Sequence, residues 1–175
     1  MIYIFKITTN ENPGFIRLIE IDPDDTFSTF HSVIQQSTDF ASDQLASFFI
    51  ADERWAKHVE VTPIDMGSNG IPHYTMKKTK IRDLIKTKGQ KLFYTFDFLN
   101  DRSFYIELTE ISMKRILNEP QVAYQQGKAP KQILTEDVEL IDSPDRFFDS
   151  YHDYGDLDDY TEIFGEMDDL LERGN

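Results

Sequence analysis

The sequence contains no cysteine, so disulfide bonds, thiolate nucleophiles, iron–sulfur clusters and cysteine-ligated zinc are excluded. Long apolar runs are also missing, because no stretch approaches the roughly 18 apolar residues that a membrane helix needs. The first ten residues alternate in hydrophobicity and lack the basic flank and apolar run of a signal peptide. We therefore expect a cytoplasmic protein with no membrane partner.

Basic residues are scarce in only one part of the chain. Residues 1–134 carry 16 Lys and Arg and 17 Asp and Glu, whereas residues 135–175 carry 2 and 15, so the last segment holds almost all of the net charge of −14. The hydrophobic fraction of 39%, with 13% aromatics, is enough for one packed core. We expect one domain over residues 1–134 and an acidic C-terminal extension over residues 135–175, packed on that domain or tethered to it.

The start of the chain predicts two strands and a helix. Residues 2–9 and 15–21 alternate in hydrophobicity around an Asn-Pro-Gly turn, which is typical of paired strands. Thr26 is placed to cap a helix, because apolar residues recur at helical spacing directly after it.

The next segment predicts two further strands, a loop and a short helix. Residues 45–51 and 57–62 are compact and rich in strand-forming side chains. Residues 63–74 contain two glycines and two prolines, which predicts an exposed loop. Residues 80–88 predict a short basic helix that Gly89 ends.

The most regular hairpin of the sequence follows. Residues 91–98 and 103–111 alternate strongly and are joined by a polar turn. The pattern then weakens over residues 118–130, where Pro and Gly interrupt a polar stretch. The acidic extension predicts a short strand at 138–141 and two helices, at 145–151 and 160–173.

This order of elements predicts an α+β fold. We expect a single, mainly antiparallel sheet with helices on one face, a β-grasp (ubiquitin-like) type core, and an acidic helical C-terminal tail. A doubly wound parallel fold would need a regular alternation of strands and helices, which the sequence lacks.

Two blocks of the sequence carry a resemblance to a known family. The first reads IRLIEI over residues 16–21 and TFSTFHSVIQ over residues 26–35, and the second includes KLFYTFDF over residues 91–98. In order and spacing they resemble the plasmid pRiA4b ORF-3-like family, also called insertion-sequence passenger TnpR-like proteins. The family has an arginine-bearing strand, a Leu-His-x-x-Ile-Gln helix and a Tyr-x-Tyr-Asp-Phe strand. In this chain Phe30 replaces the leucine of the helix motif.

The resemblance implies a compact β-grasp-like bacterial domain, often encoded near mobile elements, and it implies no established activity. After Tyr-Asp-Phe the family usually continues Gly-Asp-x-Trp-x-His, whereas this chain has Arg102 and Phe104 at the Trp and His positions. Any pocket shared with the family would therefore be chemically altered. The arginines also lack a recombinase context, so site-specific recombination is not expected.

Arg17, His31 and Asp97 form the candidate polar site. His31 could act as an acid, a base or a ligand near neutral pH, but a half-buried histidine bonded to a neighbouring strand is the more common case. Asp97 could pair with Arg17 or hold a polar ligand, or it could simply be a salt-bridged carboxylate. The four histidines lack the spacing of a zinc site, so we expect no metal and no cofactor.

A basic run is the candidate nucleic-acid contact, because clustered cations neutralise phosphates and release counterions. A solvated surface is the more common explanation of such a run, and the acidic extension opposes the approach of DNA. The run consists of Lys77, Lys78, Lys80, Arg82, Lys86, Lys88 and Lys91.

The acidic extension mixes carboxylates with aromatic side chains, which can anchor in a groove of a basic partner. We also expect this extension to fold back toward the basic run. Its candidate partner-binding residues are Phe147, Phe148, Tyr151, Tyr154 and Tyr160.

Three functions therefore stay open. The first is a non-catalytic protein-binding or adaptor domain that uses the sheet face or the acidic extension. The second is a nucleic-acid-associated protein of a mobile element that uses the basic run, and the third is an enzyme of unknown reaction around Arg17, His31 and Asp97. The sequence favours a protein partner and does not identify it or the oligomeric state.

Overall fold

The computed structural model describes residues 1–67 and 73–134. The chain divides into two compact units, Met1–Ile133 and Leu134–Asn175. The fold described below is that of the first unit. The strand predicted at 138–141, the two helices predicted in the acidic extension and the candidate aromatic residues of that extension lie outside the described residues.

One sheet of eight strands dominates the described part of the chain, in the order β5-β4-β3-β6-β7-β1-β2-β8. Strands β4 and β5 pair in parallel, and every other neighbouring pair is antiparallel. The fold is therefore α+β, with one mixed sheet and few helices. The elements in chain order are β1 (Ile2–Thr8), β2 (Ile16–Ile21), α1 (Phe27–Thr38), β3 (Ser47–Ala51), β4 (Lys57–Thr62), β5 (Tyr74–Thr75), α2 (Ile81–Leu84), β6 (Lys91–Asp97), β7 (Arg102–Ser112) and β8 (Gln121–Gln126).

Helix α1 begins and ends where local chemistry requires. The Thr26 side chain accepts a hydrogen bond from the Thr29 backbone N–H at 3.2 Å, which satisfies one of the free donors of the first turn. The helix ends at Asp39, which adopts a left-handed conformation with φ of 58°. The predicted cap at Thr26 agrees with this geometry.

Both helices contribute to a single hydrophobic core on one face of the sheet. Phe30 of α1 lies between the rings of Phe5 and Phe48, with centroid distances of 4.7 and 5.3 Å. Ile81 and Ile85, in and after α2, belong to the same buried cluster. Within the described ranges, no helix combines the length and the apolar character that crossing a bilayer requires.

Three sequence predictions need correction. The helix predicted at 80–88 covers only Ile81–Leu84, because the side chain of Gln90 accepts from the N–H groups of Lys86 and Thr87 and holds that segment as a loop. The loop predicted at 63–74 leads into the short strand β5. The weak stretch at 118–130 contains β8, which forms the sheet edge next to β2.

Candidate functional site

The sheet has a second face, opposite the core, which is called the outer face below. Residues directly opposite each other on paired strands share a face, so the registers define two rows across it. The aromatic row is Phe49, Phe93, Tyr105, Thr8 and Ile16. The charged row is Lys57, Ala51, Lys91, Glu107, Lys6 and Leu18.

The outer face is apolar for a solvent-facing surface. Phe49, Tyr105, Ile16 and Leu18 are all partly exposed, and Tyr124 of β8, opposite Leu18, is 47% exposed. Neither described helix covers this face, because both pack into the core on the other side. Exposed apolar side chains that gather on one face of a sheet are typical of an interaction site.

Trp55 lies on the outer face at the centre of the aromatic row. It belongs to the turn between β3 and β4, and its ring contacts those of Phe93 and Tyr105 at centroid distances of 5.2 and 5.1 Å. Its backbone φ is 64°, a left-handed conformation that costs energy for a residue with a bulky side chain. The turn therefore holds Trp55 over the sheet against a local conformational preference.

Asp52 supplies the hydrogen bonds that fix this turn. Its Oδ1 accepts from the backbone N–H groups of Arg54 and Ala56 at 2.8 and 2.9 Å, and its Oδ2 lies 3.0 Å from Nε2 of His58. The bond from the Ala56 N–H, followed by the contact with His58, lowers the pKa of the Asp52 carboxyl below its usual range. Asp52 is therefore an ionised acceptor that fixes the position of Trp55.

Lysine ammonium groups lie against the rings of the outer face. Nζ of Lys57 is 4.6 Å from the ring centroid of Phe49, and Nζ of Lys91 is 5.6 Å from that of Trp55. Acidic groups balance these cations, since Glu107 lies opposite Lys91 and Nζ of Lys57 is 3.6 Å from Asp101. The surface therefore combines an aromatic centre with mixed charges, which suits a protein surface better than a polyanion.

Arg17 occupies a position that serves the fold. Its Nε donates to the carbonyl of Ser37 at 3.0 Å, and its Nη1 donates to the carbonyl of Gln126 at 2.8 Å. The side chain is 6% exposed, and burial lowers its pKa. Arg17 thus joins the C-terminal turn of α1 to the edge strand β8. The free carbonyl groups at the end of α1 favour a cation at this position.

His31 is bonded to a strand of the core. Its Nδ1 lies 2.8 Å from the hydroxyl of Tyr94 in β6. Burial lowers the pKa of His31 and raises the pKa of Tyr94, so both groups are held neutral. We therefore assign the phenol as the donor and place the remaining imidazole proton on Nε2.

Asp97 pairs with Arg102, at the end of the hairpin formed by β6 and β7. It accepts from the side chain of Asn100 at 2.9 Å and lies 3.5 Å from Nη1 of Arg102. The bond from Asn100 is the main reason that the pKa of Asp97 is lowered. Arg17, His31 and Asp97 thus have separate partners, and no hydrogen bond or ion pair joins any two of these three residues.

Arg102 and Phe104 have structural roles that the sequence did not reveal. Arg102 also pairs with Glu11 at 2.8 Å and donates to the backbone carbonyls of residues 131 and 132. Phe104 is fully buried, and its ring contacts those of Phe15 and Phe96 at 5.3 and 4.8 Å. The only sequence signal for this role was the departure from the resembled family at both positions.

The basic run does not form one surface of a helix. Lys80 and Arg82 both pair with Asp24, at 3.4 and 2.8 Å. Lys91 lies in the charged row of the outer face. The basic run is therefore divided among several segments. Its other four members are exposed, with Lys77 and Lys78 before α2 and Lys86 and Lys88 in the loop after it.

Two open clefts of about 510 and 520 Å³ lie on the described surface. The first is formed by residues 51–53 and 87–91, and the second lies at the C-terminal end of α1, near Phe40. Neither cleft is lined by Arg17, His31 or Asp97. Within residues 1–67 and 73–134, no three His, Asp or Glu side chains form a group that could hold a metal ion.

Comparison with known proteins agrees with the resemblance seen in the sequence. Residues 1–170 match the family described as plasmid pRiA4b ORF-3-like protein. The crystal structure of a protein of unknown function, MM3350 from Methanosarcina mazei Go1, is similar with a TM-score of 0.59 and 22% identity over 74% of this chain and 71% of that chain. At this identity the similarity shows the fold alone, and no curated protein matches the chain.

Proposed function

The chain belongs to the plasmid pRiA4b ORF-3-like family, and we propose that it is a non-catalytic protein-binding domain whose outer face holds the partner. The observation that carries this proposal is the position of Trp55. A turn built around Asp52 holds this residue in a left-handed conformation on a sheet face that the described helices leave uncovered. Tryptophan and tyrosine are the side chains that most often dominate the energy of protein interfaces.

The charges of the outer face support a protein partner over a nucleic acid. Lys6 and Lys91 lie on either side of Glu107 in the charged row, and Asp101 lies close to Lys57. A nucleic acid gains most of its affinity from unbalanced cations, which these neighbouring carboxylates reduce. The partner expected here presents apolar side chains at its centre and charges of both signs around them.

The finer expectations from the sequence remain part of the proposal. A β-grasp type core is supported by the order of the β1–β2 hairpin, α1 and the antiparallel strands that follow. A cytoplasmic location and a gene near a mobile element are proposed from the sequence and from the family resemblance. Binding through the aromatic residues of segment 135–175 is proposed from composition alone.

The test compares proteins captured by the full-length chain and by two variants. Trp55→Ala removes the anchor, whereas Leu99→Ala removes an apolar side chain that is 97% exposed at the tip of the β6–β7 hairpin. Affinity capture from the source cells, with nuclease treatment and quantitative mass spectrometry, should find proteins retained by the wild type and Leu99→Ala and lost with Trp55→Ala. Equal capture by all three chains, or capture that nuclease abolishes, would overturn the proposal.

A further inference from the structure

We propose that the partner of the outer face is a second copy of this chain, so that two sheets pack face to face about a two-fold axis. This inference rests on the proposed function, because it names the partner of the same surface. The size of the face, the arrangement of its charges and the position of Trp55 all support it.

The outer face is large enough for a stable dimer. The face spans seven strands, from β4 to β8 in the sheet order, and a spacing of about 4.8 Å between strands makes it roughly 34 Å wide. Five residues along each strand, at about 3.4 Å per residue, make it roughly 17 Å long. Its area is therefore about 600 Å² for each copy. Two copies would bury about 1,200 Å² in total, above the approximately 1,000 Å² expected of a specific interface. Facing sheets whose strands align within about 30° are a common packing arrangement.

The two rows are complementary to themselves under one simple symmetry. The two-fold axis lies between the facing sheets, perpendicular to the strands and midway between the two rows. Rotation about this axis places each strand against the same strand of the second copy, and it places the aromatic row of one copy against the charged row of the other. Ile16 then faces Leu18 of the second copy, and Phe49 faces Ala51 of the second copy.

The most informative of these contacts is an ion pair at the edge of the face. Glu60 of β4 lies opposite Phe49 and therefore continues the aromatic row, whereas Lys57 of the same strand is in the charged row. The symmetry sets Glu60 against Lys57 of the second copy, and it does so twice in the dimer. Both residues are exposed in the single chain, so both are accessible for such a contact.

Trp55 lies near the axis in this arrangement. Its ring covers Phe93 and Tyr105, on the two central strands β6 and β7, so the two copies bring their indole rings together. It is also the single tryptophan of the sequence. Tryptophan fluorescence therefore reports directly on this part of the face, without any label.

The first experiment is sedimentation equilibrium of the full-length chain at moderate ionic strength, from low micromolar to several hundred micromolar. The wild type should form a dimer. Glu60→Lys and Lys57→Glu each set like charges across the interface and should each weaken association about tenfold or more. The double variant restores opposite charges in both contacts and should recover the affinity of the wild type to within about threefold.

The emission of Trp55 gives a second, independent measurement. In the wild type the emission maximum should shift to shorter wavelength as the chain associates, and in Glu60→Lys this shift should move to higher concentration. Circular dichroism of each variant checks that the fold is intact. Rescue by the double variant separates a lost interface from a lost fold, because a fold defect would not be repaired by a second charge reversal.

Three results would overturn the inference. These are a chain that stays monomeric at every concentration, a dimer that neither charge reversal weakens, and a double variant that does not recover. A monomeric wild type that still captures a different protein through Trp55 would refute the second copy and leave the proposed function in place. Loss of both self-association and Trp55-dependent capture would refute the two together.

Discussion

The left-handed conformation of Trp55 leads to an unusual prediction about two substitutions at the same position. Trp55→Ala and Trp55→Gly both lose the contacts with Phe93 and Tyr105, and aromatic pairs of this kind contribute about 0.5–1.5 kcal/mol each. Both variants should therefore be less stable than the wild type by at least about 1–3 kcal/mol, because these pair energies add to the stabilisation from the apolar area that the indole ring buries.

The two variants should differ from each other because of the backbone. A residue with a Cβ atom pays roughly 1–2 kcal/mol in the left-handed region, and Gly does not. Gly loses more conformational freedom on folding, which offsets about 0.5–1 kcal/mol of that difference. We expect Trp55→Gly to be more stable than Trp55→Ala by about 0.5–1 kcal/mol, although Gly is the more disruptive residue at most positions.

The assay is urea unfolding followed by far-ultraviolet circular dichroism, since both variants lack the single tryptophan. Glu53 of the same turn provides the matched control, because its φ is not positive. Glu53→Gly should be less stable than Glu53→Ala, the reverse of the order at Trp55. If Trp55→Ala proves as stable as Trp55→Gly, the claim that this turn holds Trp55 in a strained conformation is refuted.

Three further predictions concern stability. Phe104→Ala should lower the free energy of unfolding by about 3–5 kcal/mol, because it leaves a cavity among stacked aromatic rings, and urea unfolding that shows a loss below 1 kcal/mol would contradict this packing. Gly127→Ala would place a Cβ against the backbone carbonyl of Gly14, so it should lower the melting temperature more than Gly89→Ala. Gly89 also has a positive φ but has open space around it. Hydrogen bonds from Arg115 and then Gln121 lower the pKa of Glu20, so its stabilising effect is present above its unfolded pKa of about 4.3 and is lost as the pH falls through the lower folded value. The stability difference between Glu20→Gln and the wild type, measured by unfolding at several pH values, should therefore shrink below about pH 4, and a constant difference would contradict the assignment.

Much of the sheet could be predicted from the sequence because its central strands have strong local signals. Strand β6 has apolar or aromatic side chains at four of its seven positions, and residues 57–62 coincide with β4. Strand β8 was missed because all six of its residues are exposed, so burial leaves no alternation in its sequence. Its position depends instead on long-range bonds, including the one from Arg17 to the carbonyl of Gln126.

The candidate polar site shows where pattern reasoning stops. Strict alternation along β6 would put Asp97 on the face opposite Phe96, but the register is irregular between Thr95 and Asp97 and sets this carboxylate against Arg102. The grouping of Arg17, His31 and Asp97 as a candidate site rests on their residue types and on the motifs of the resembled family, which carry no distances. The structure gives each of the three a separate partner.

The outer face had a sequence signal that was easier to interpret as core. The run SFFIA in β3 is largely apolar at both alternating sets of positions, and β6 has apolar side chains at the neighbouring positions Leu92, Phe93 and Tyr94, which is typical of strands buried on both faces. Here one set faces the core, and the other set lies on the outer face, where Phe49 and Phe93 belong to the aromatic row. The position of Trp55 had no such signal, because a positive φ is expected of Gly or Asn rather than of tryptophan.

Photo-crosslinking in the source cells tests the central claim most directly. A photoreactive phenylalanine analogue at Tyr105 places the probe in the aromatic row, and the same analogue at Gln36 places it on the exposed surface of α1, away from the outer face. The account predicts light-dependent protein adducts from position 105, including adducts between two copies of this chain, and none from position 36. Protein adducts from position 36 alone, or nucleic-acid adducts from position 105, would contradict the claim that the outer face is a protein-binding surface.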